Sequence, residues 1–318
     1  AAGNSELTLR MTGDPRRPLL NGVINVRDVN LGYGDLPFRM TGLNGEITLE
    51  GERATIRSLR GTSGGGTVVL TGYTTLAGTP RFDARLELDE VRVQYPRDFT
   101  SVLDGTLRLV GTAERGQMSG DLTVRQLFTS EHLRLLARVG EAGGPASEQP
   151  PGVASPLAAR MRLNIAVRSA PAVRLETRDL RLVADIDLRV QGTLAQPVEV
   201  GTIHILSGEA VFRGNRYRLN RGDISMTNPF RTQRTLNLEA QTRVQRYDLT
   251  VALSGPPERL KVSYRSDPPL PAADILSLLA FGYARQQEEM STTGAQPLRT
   301  VGASALLSAS LRPRLQGI

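Results

Sequence analysis

Between Thr235 and Val244 apolar and polar side chains alternate. Leu236, Leu238, Ala240, Thr242 and Val244 hold one parity, and Asn237, Glu239, Gln241 and Arg243 hold the other. A repeat of two residues sends the first set to one face of a β-strand and the second set to the opposite face. After Gln245 and Arg246 the pattern resumes, with Tyr247, Leu249, Val251 and Leu253 set against Asp248, Thr250, Ala252 and Ser254. Two such strands, paired antiparallel, share one apolar face and one wet face.

The alternation recurs far upstream. Phe82, Ala84, Leu86 and Leu88 alternate with Asp83, Arg85, Glu87 and Asp89, after which Val91, Val93 and Tyr95 carry the apolar set on the other parity. That change of phase predicts a bulge or bend at Asp89 and Glu90. Met161, Leu163, Ile165 and Val167 form another apolar row, and Leu180, Leu182, Ala184, Ile186, Leu188 and Val190 form the longest. A glycine followed by a short strand also recurs, at Gly45, Gly66, Gly105, Gly120, Gly201 and Gly222. The spacing is irregular, so this is a loose repeat and not a strict solenoid. Each glycine is expected to turn the chain in a tight connection, using a positive backbone angle. The whole reads as roughly 15 to 18 strands in repeated hairpins. At about 4.8 Å per strand, some 16 strands in one sheet extend on the order of 75 Å.

Two pieces break the pattern. From Leu127 to Val139, Leu127, Leu133, Leu135, Leu136 and Val139 approach helical spacing, which predicts a short amphipathic helix placed to plug or cap the sheet. The following run from Glu141 to Pro156 is a flexible loop by composition. Near the carboxy terminus, the prolines at 268, 269 and 271 force an extended entry before Ala272 and Asp274 start a helix. Ile275, Leu276, Leu278, Leu279, Ala280 and Phe281 leave that helix almost no polar side, so something must bury it. It is too short to span a bilayer. The chain thus divides into a repeated-strand segment (1–126), a short helix and loop (127–156), a second stranded segment (157–266), and the apolar helix with its tail (267–318). Ile275, Leu276, Leu278, Leu279 and Phe281 are the candidate residues for a partner contact or a gate.

Composition narrows the picture. Hydrophobic residues make up 39% of the 318, but aromatics only 4%, and tryptophan is absent. A closed sandwich of this size, the main alternative architecture, normally leans on large aromatic side chains to fill its interior. The absence of cysteine removes disulfides and thiolate metal sites. No apolar run is long enough to cross a bilayer, and the first residues carry no signal-peptide pattern. A strand-like segment, ELTLRM, follows the first residues directly, and the chain is expected to be part of a longer protein. The net charge of +7 comes almost entirely from arginine, spread singly among aspartates and glutamates. That spread describes a solvated sheet face, and the aromatic platforms that stack nucleic-acid bases are missing. Attraction to anionic lipid head groups is a modest further consequence of the excess.

Catalytic chemistry finds little footing. His132 and His204 are the only histidines, one in the proposed helix and one mid-strand, which disfavours a metal pair or a Ser-His-Asp unit. The glycine run from Gly61 to Thr67 lacks the lysine and following helix of a phosphate loop. The Arg221-Gly222-Asp223 triplet is expected to be a turn entering a strand at Ile224. No catalytic residues, metal ligands or cofactors are assigned.

Four motifs together point to a family. They are G-x-I-x-I-x-x-G from Gly201 to Gly208, FRGNRYRLNRGDI from Phe212 to Ile224, the Asn228-Pro229 pair, and SDPPLP-x-x-DILSLL-x-FG from Ser266 to Gly282. In this combination the chain resembles the carboxy-terminal conserved region of TamB-like proteins, within the wider AsmA-like group. The likeness is firm after about Leu180. Upstream, GVINV at Gly22 and LRGTSGGG from Leu59 to Gly66 are similar to the looser repeats that precede this region.

The resemblance implies an all-β fold: a long, curved antiparallel sheet forming an open trough, apolar inside and hydrophilic outside. It also implies a periplasmic protein of a diderm bacterium, anchored in the inner membrane, that works with an Omp85-type outer-membrane barrel of the TamA or BamA kind and moves phospholipids between membranes. By the same resemblance, the anchor and the last strands of the family are expected to lie outside the sequence that ends at Ile318. With the alternation, this nominates Leu86, Leu88, Ile165, Val167, Leu182, Ile186, Leu188, Ile203, Ile205, Leu236, Leu238, Leu249 and Val251 as contacts for acyl chains. Burial there stabilises a chain by roughly 0.8 kcal/mol per methylene. Empty, so much apolar surface invites aggregation. The second reading is a chaperone-like or structural module that assists outer-membrane protein assembly by pairing client strands with its sheet edges. A lipid-modifying enzyme is a distant third.

Overall fold

The computed structural model describes residues 2–14, 17–31, 39–94, 99–112, 114–129, 156–212, 214–230 and 233–281. Its strands are β1 (Ala2–Asp14), β2 (Arg17–Leu31), β3 (Met40–Gly51), β4 (Arg53–Ser63), β5 (Gly66–Thr75), β6 (Arg81–Gln94), β7 (Phe99–Thr112) and β8 (Gly116–Thr129). After a single helical turn at Pro156–Arg160 come β9 (Met161–Ser169), β10 (Val173–Glu176), β11 (Leu180–Thr193), β12 (Pro197–Phe212), β13 (Asn215–Met226), β14 (Arg234–Val244), β15 (Tyr247–Gly255) and β16 (Lys261–Asp267). The last helix spans Ala272–Phe281.

Among the described residues all 16 strands belong to one sheet, in sequence order, and β1 and β16 each have a single neighbour there. The sheet is therefore open and not a barrel. Every pairing is antiparallel except β8 with β9, which run the same way. Both β9 and β10 pair with β11, on different halves of it, and so act as one interrupted strand. The strands on either side of residues 127–156 thus share a continuous sheet.

Register determines which side chains share a face. Leu249 lies opposite Thr242 and Ser266, Leu238 opposite Leu253 and Gly222, and Ile203 opposite Ile224 and Ile186. The same face continues through Val167 and Leu122 to Gly105, Leu88 and Val68, and so to Leu49, Ile24 and Leu7. Bulges keep the apolar set on it where the sequence changes parity. Between Leu88 and Val91 the register shifts by one residue, Glu90 takes a φ of 53°, and its N–H donates to Asp104 Oδ1 at 2.7 Å. The phase change at Asp89 and Glu90 is thus a bulge.

A second bulge takes the first residues of the expected helix, 127–129, into strand β8, and the rest of it, 130–139, lies outside the described residues. Arg125 is the extra residue of β8, so Val124 and Leu127 both turn to the apolar face, and Leu127 pairs with Ser101 as part of the strand. A three-residue apolar spacing across a bulge mimics helical periodicity. Residues 130–155, which include His132 and nearly all of the predicted loop, lie outside the described residues.

Among the described residues this single sheet has no second layer beyond the two helices, yet Leu43, Val68 and Val91 are almost wholly buried. A flat single layer leaves such side chains open to water, so the sheet must curl toward its apolar face. The recurring glycines enable the close approach, and here the expected role is corrected. Gly45, Gly105, Gly120, Gly201 and Gly222 lie inside strands and do not form tight connections. At Gly120 (φ 152°) an added Cβ would sit 2.0 Å from the Thr106 carbonyl oxygen of the neighbouring strand. Only glycine tolerates both that angle and that contact. Gly66 does follow a hairpin turn, formed by Gly64 and Gly65. The Arg221-Gly222-Asp223 triplet, expected as a turn, is also strand, lying beside a register shift between Leu219 and Arg221.

The other face is laced by cross-strand ion pairs: Arg108 with Asp83 (2.7 Å), Arg125 with Asp104, and Arg168 with Asp187 (3.4 Å). Pairs open to water in this way are screened by solvent and add little to stability. They account for the scattered arginines as a solvated surface. Their electrostatics are local: the Arg108 hydrogen bond holds the Asp83 carboxyl below the usual aspartate value. At Asp104 partial burial works upward, but the Glu90 N–H and the Arg125 guanidinium outweigh it and lower the carboxyl.

Candidate functional site

The concave face is the candidate site. Every residue nominated from the alternation lies on it: Leu86 and Leu88 on β6, Ile165 and Val167 on β9, Leu182, Ile186 and Leu188 on β11, Ile203 and Ile205 on β12, Leu236 and Leu238 on β14, and Leu249 and Val251 on β15. Ile165, Ile186, Ile205 and Leu249 are buried, and the others are half-buried. Half-burial on the inside of a curl means that the side chains crowd one another yet still present methyl groups to the hollow. Two clusters line the middle of it, one around Leu107, Leu163 and Ile165, the other around Val124, Val173, Ala184 and Ile186. Toward β1 the wall is barer, with Leu7 56% and Met11 62% exposed.

At the opposite end the helix Ala272–Phe281 closes over the wall. Ile275 and Leu278 form one cluster with Val244, Tyr247 and Leu249, with Tyr264, Leu270 and Leu279 packed around it. Leu249 and Leu278 are both fully buried. Asn215 Nδ2 donates to the Leu279 carbonyl (3.4 Å), which ties the helix to the β12–β13 end as well. Burial under the helix raises the Tyr264 hydroxyl above the usual tyrosine value. Leu276 and Leu279 remain half-buried. Of the nominated contacts, Leu249 alone is sealed beneath the helix and is closed to a ligand in this arrangement.

Polar chemistry on this face is sparse. Among the described residues one charged pair stands on it, Glu199 of β12 and Arg234 of β14, whose parity is set by Glu199 opposite Val190 and Arg234 opposite Met226. Arg234 Nη2 donates to Glu199 Oε2 at 3.4 Å, and the two side chains are 41% and 16% exposed. The sequence reading missed this pair. The signal was there, since Arg234 continues the parity of Leu236 and Leu238 by one residue. His204 lies on the outer face, its Nδ1 2.7 Å from Asp223 Oδ1. No group of three or more metal-ligating side chains occurs among the described residues.

Together these features define the class of open, single-layer β-troughs, with an apolar concave wall and a charged exterior. The chain belongs to the TamB family: the family model for the TamB C-terminal domain matches residues 52–317. No curated protein matches the chain. Membership gives a bacterial envelope protein with a role in envelope biogenesis, in a family of transport and assembly modules. No described helix is long and apolar enough to cross a membrane.

Proposed function

We propose that this chain is a segment of a periplasmic trough that carries phospholipids between the inner and outer membranes, with acyl chains against the concave wall and head groups at its open side. The observation that carries this reading is the continuity of the apolar face from Leu7 to Leu253 across an unclosed sheet. A sandwich or barrel would bury such a face on itself. An open trough leaves it to a ligand, and the ligand that matches a long, featureless aliphatic wall is a hydrocarbon chain. An Omp85-type barrel is the proposed receiver, and the helix Ala272–Phe281 is the proposed gate at the last strands, covering Leu249 when closed. Native mass spectrometry of the purified protein tests this directly. Bound phospholipid supports the carrier, and a preparation that holds none, even after incubation with phospholipid, contradicts it.

The alternative, a module that assists outer-membrane protein assembly, is favoured by one feature, the edges of β1 and β16, which have no second neighbour among the described residues. A client strand adding to either edge extends the sheet. The same spectra separate the two, because a client appears as bound peptide.

A further inference from the structure

We infer that Arg234 is a phosphate contact for the lipid in the trough, held at the edge of the apolar wall by Glu199. The inference rests on the carrier reading and adds to it a specific subsite. Arg234 opens β14, directly after the loop that joins it to β13, so its guanidinium lies at the rim, where water meets the hollow. Below it on the same face run Leu236 and Leu238, with Ile224 and Ile203 across the neighbouring strands. That order, cation at the rim and aliphatic wall beneath, mirrors a phospholipid with its phosphate at the surface and its tails inside.

Two features distinguish this cation from the other described arginines. It faces the hollow, whereas those of the cross-strand ladders point outward. Its partner is also the more deeply placed of the pair: Glu199 is mostly covered, and Arg234 is open enough to meet a ligand. A guanidinium carries five N–H donors, and the bond from Nη2 to Glu199 is long, at 3.4 Å. The remaining edge suits two oxygens of a phosphodiester. Glu199 orients the group and offsets its charge when the trough is empty, since a lone cation on an apolar wall is costly.

Near the pair, Asn228 accepts from the Phe230 N–H (3.0 Å) and donates to Gln233 Oε1 (3.4 Å), the residue just before Arg234. Phe230 is left 89% exposed.

The test compares two ligands with identical tails, dioleoyl phosphatidic acid and dioleoylglycerol, presented to the whole chain in nonionic detergent and read by native mass spectrometry. The wild-type protein should favour the phosphate-bearing lipid by roughly tenfold, the scale of a hydrogen bond to a charged group. Arg234→Gln should erase the preference and leave dioleoylglycerol binding intact, and Arg234→Lys should restore part of it. Glu199→Gln, which frees the guanidinium, should keep or strengthen it. Equal binding of both lipids by the wild type would overturn the inference while leaving the carrier standing, and binding of neither would overturn the carrier itself. Loss of both ligands in Arg234→Gln, or loss of the preference in Glu199→Gln, would reduce the pair to a structural clamp. Capture of inorganic phosphate without lipid would make it a free-anion site and equally overturn the assignment.

Discussion

Leu249 on β15 and Leu278 on the last helix meet in one cluster with neither side chain exposed. This contact closes one end of an otherwise open wall. Truncating Leu278 to alanine removes a fully buried side chain and should cost about 2–5 kcal/mol of local stability. Hydrogen exchange should then speed up in the helix and in β14 to β16, with β3 to β8 unchanged. Uniform acceleration across the sheet would mean that the helix is a keystone of the whole fold and not a local cover.

If the helix is a gate, its half-buried flank meets other molecules when it opens. Photocrosslinkers at Leu276 and Leu279 in the full-length protein should give adducts with lipid or with an outer-membrane barrel. Adducts confined to the protein's own strands would make it a permanent core helix.

The strand-internal glycines have a sharper consequence. At Gly120 and Gly201 an added Cβ falls 2.0 Å and 2.2 Å from a neighbouring carbonyl oxygen, with φ at 152° and 135°. Gly120→Ala and Gly201→Ala should each destabilise the sheet by at least about 1–3 kcal/mol, the usual range for a strained backbone position. Chemical denaturation should show a lowered midpoint for both. An unchanged midpoint would show that curvature does not depend on these residues.

Much of this architecture was legible in the sequence, because period-two alternation survives wherever one face is apolar and the other wet. Leu236 to Val244 and Leu180 to Val190 gave strand, parity and face together. Long-range geometry was less visible. The parallel pairing of β8 with β9 depends on how the chain returns between Thr129 and Met161, which no local pattern encodes. A bulge at Arg125 disguised Leu127 as the start of a helix. Gly105 and Gly120 read as turns because a positive φ serves a turn and a tight bend equally. The Glu199–Arg234 pair joins residues 35 apart in sequence, and only register brings them to the same rim.

The bulge at Glu90 carries a pH signature. The Asp104 carboxyl is held below its ordinary value, so its contribution is present above the unfolded aspartate value and is lost as pH falls through the lowered one. Melting temperature should therefore drop on acidification below about pH 4, and Asp104→Asn should flatten part of that drop. The same acid-side slope in wild type and variant would remove Asp104 from the account.

The central claim is that lipid touches one parity of the strands and not the other. The most direct measurement places a photocrosslinker at Leu238 or Val251, and in parallel at Glu239 or Thr250, in cells whose phospholipids carry radiolabelled phosphate. Label should join the protein at Leu238 and Val251 and be absent at Glu239 and Thr250. Equal labelling on both parities, or none at Leu238 and Val251 in a folded protein, would contradict the account.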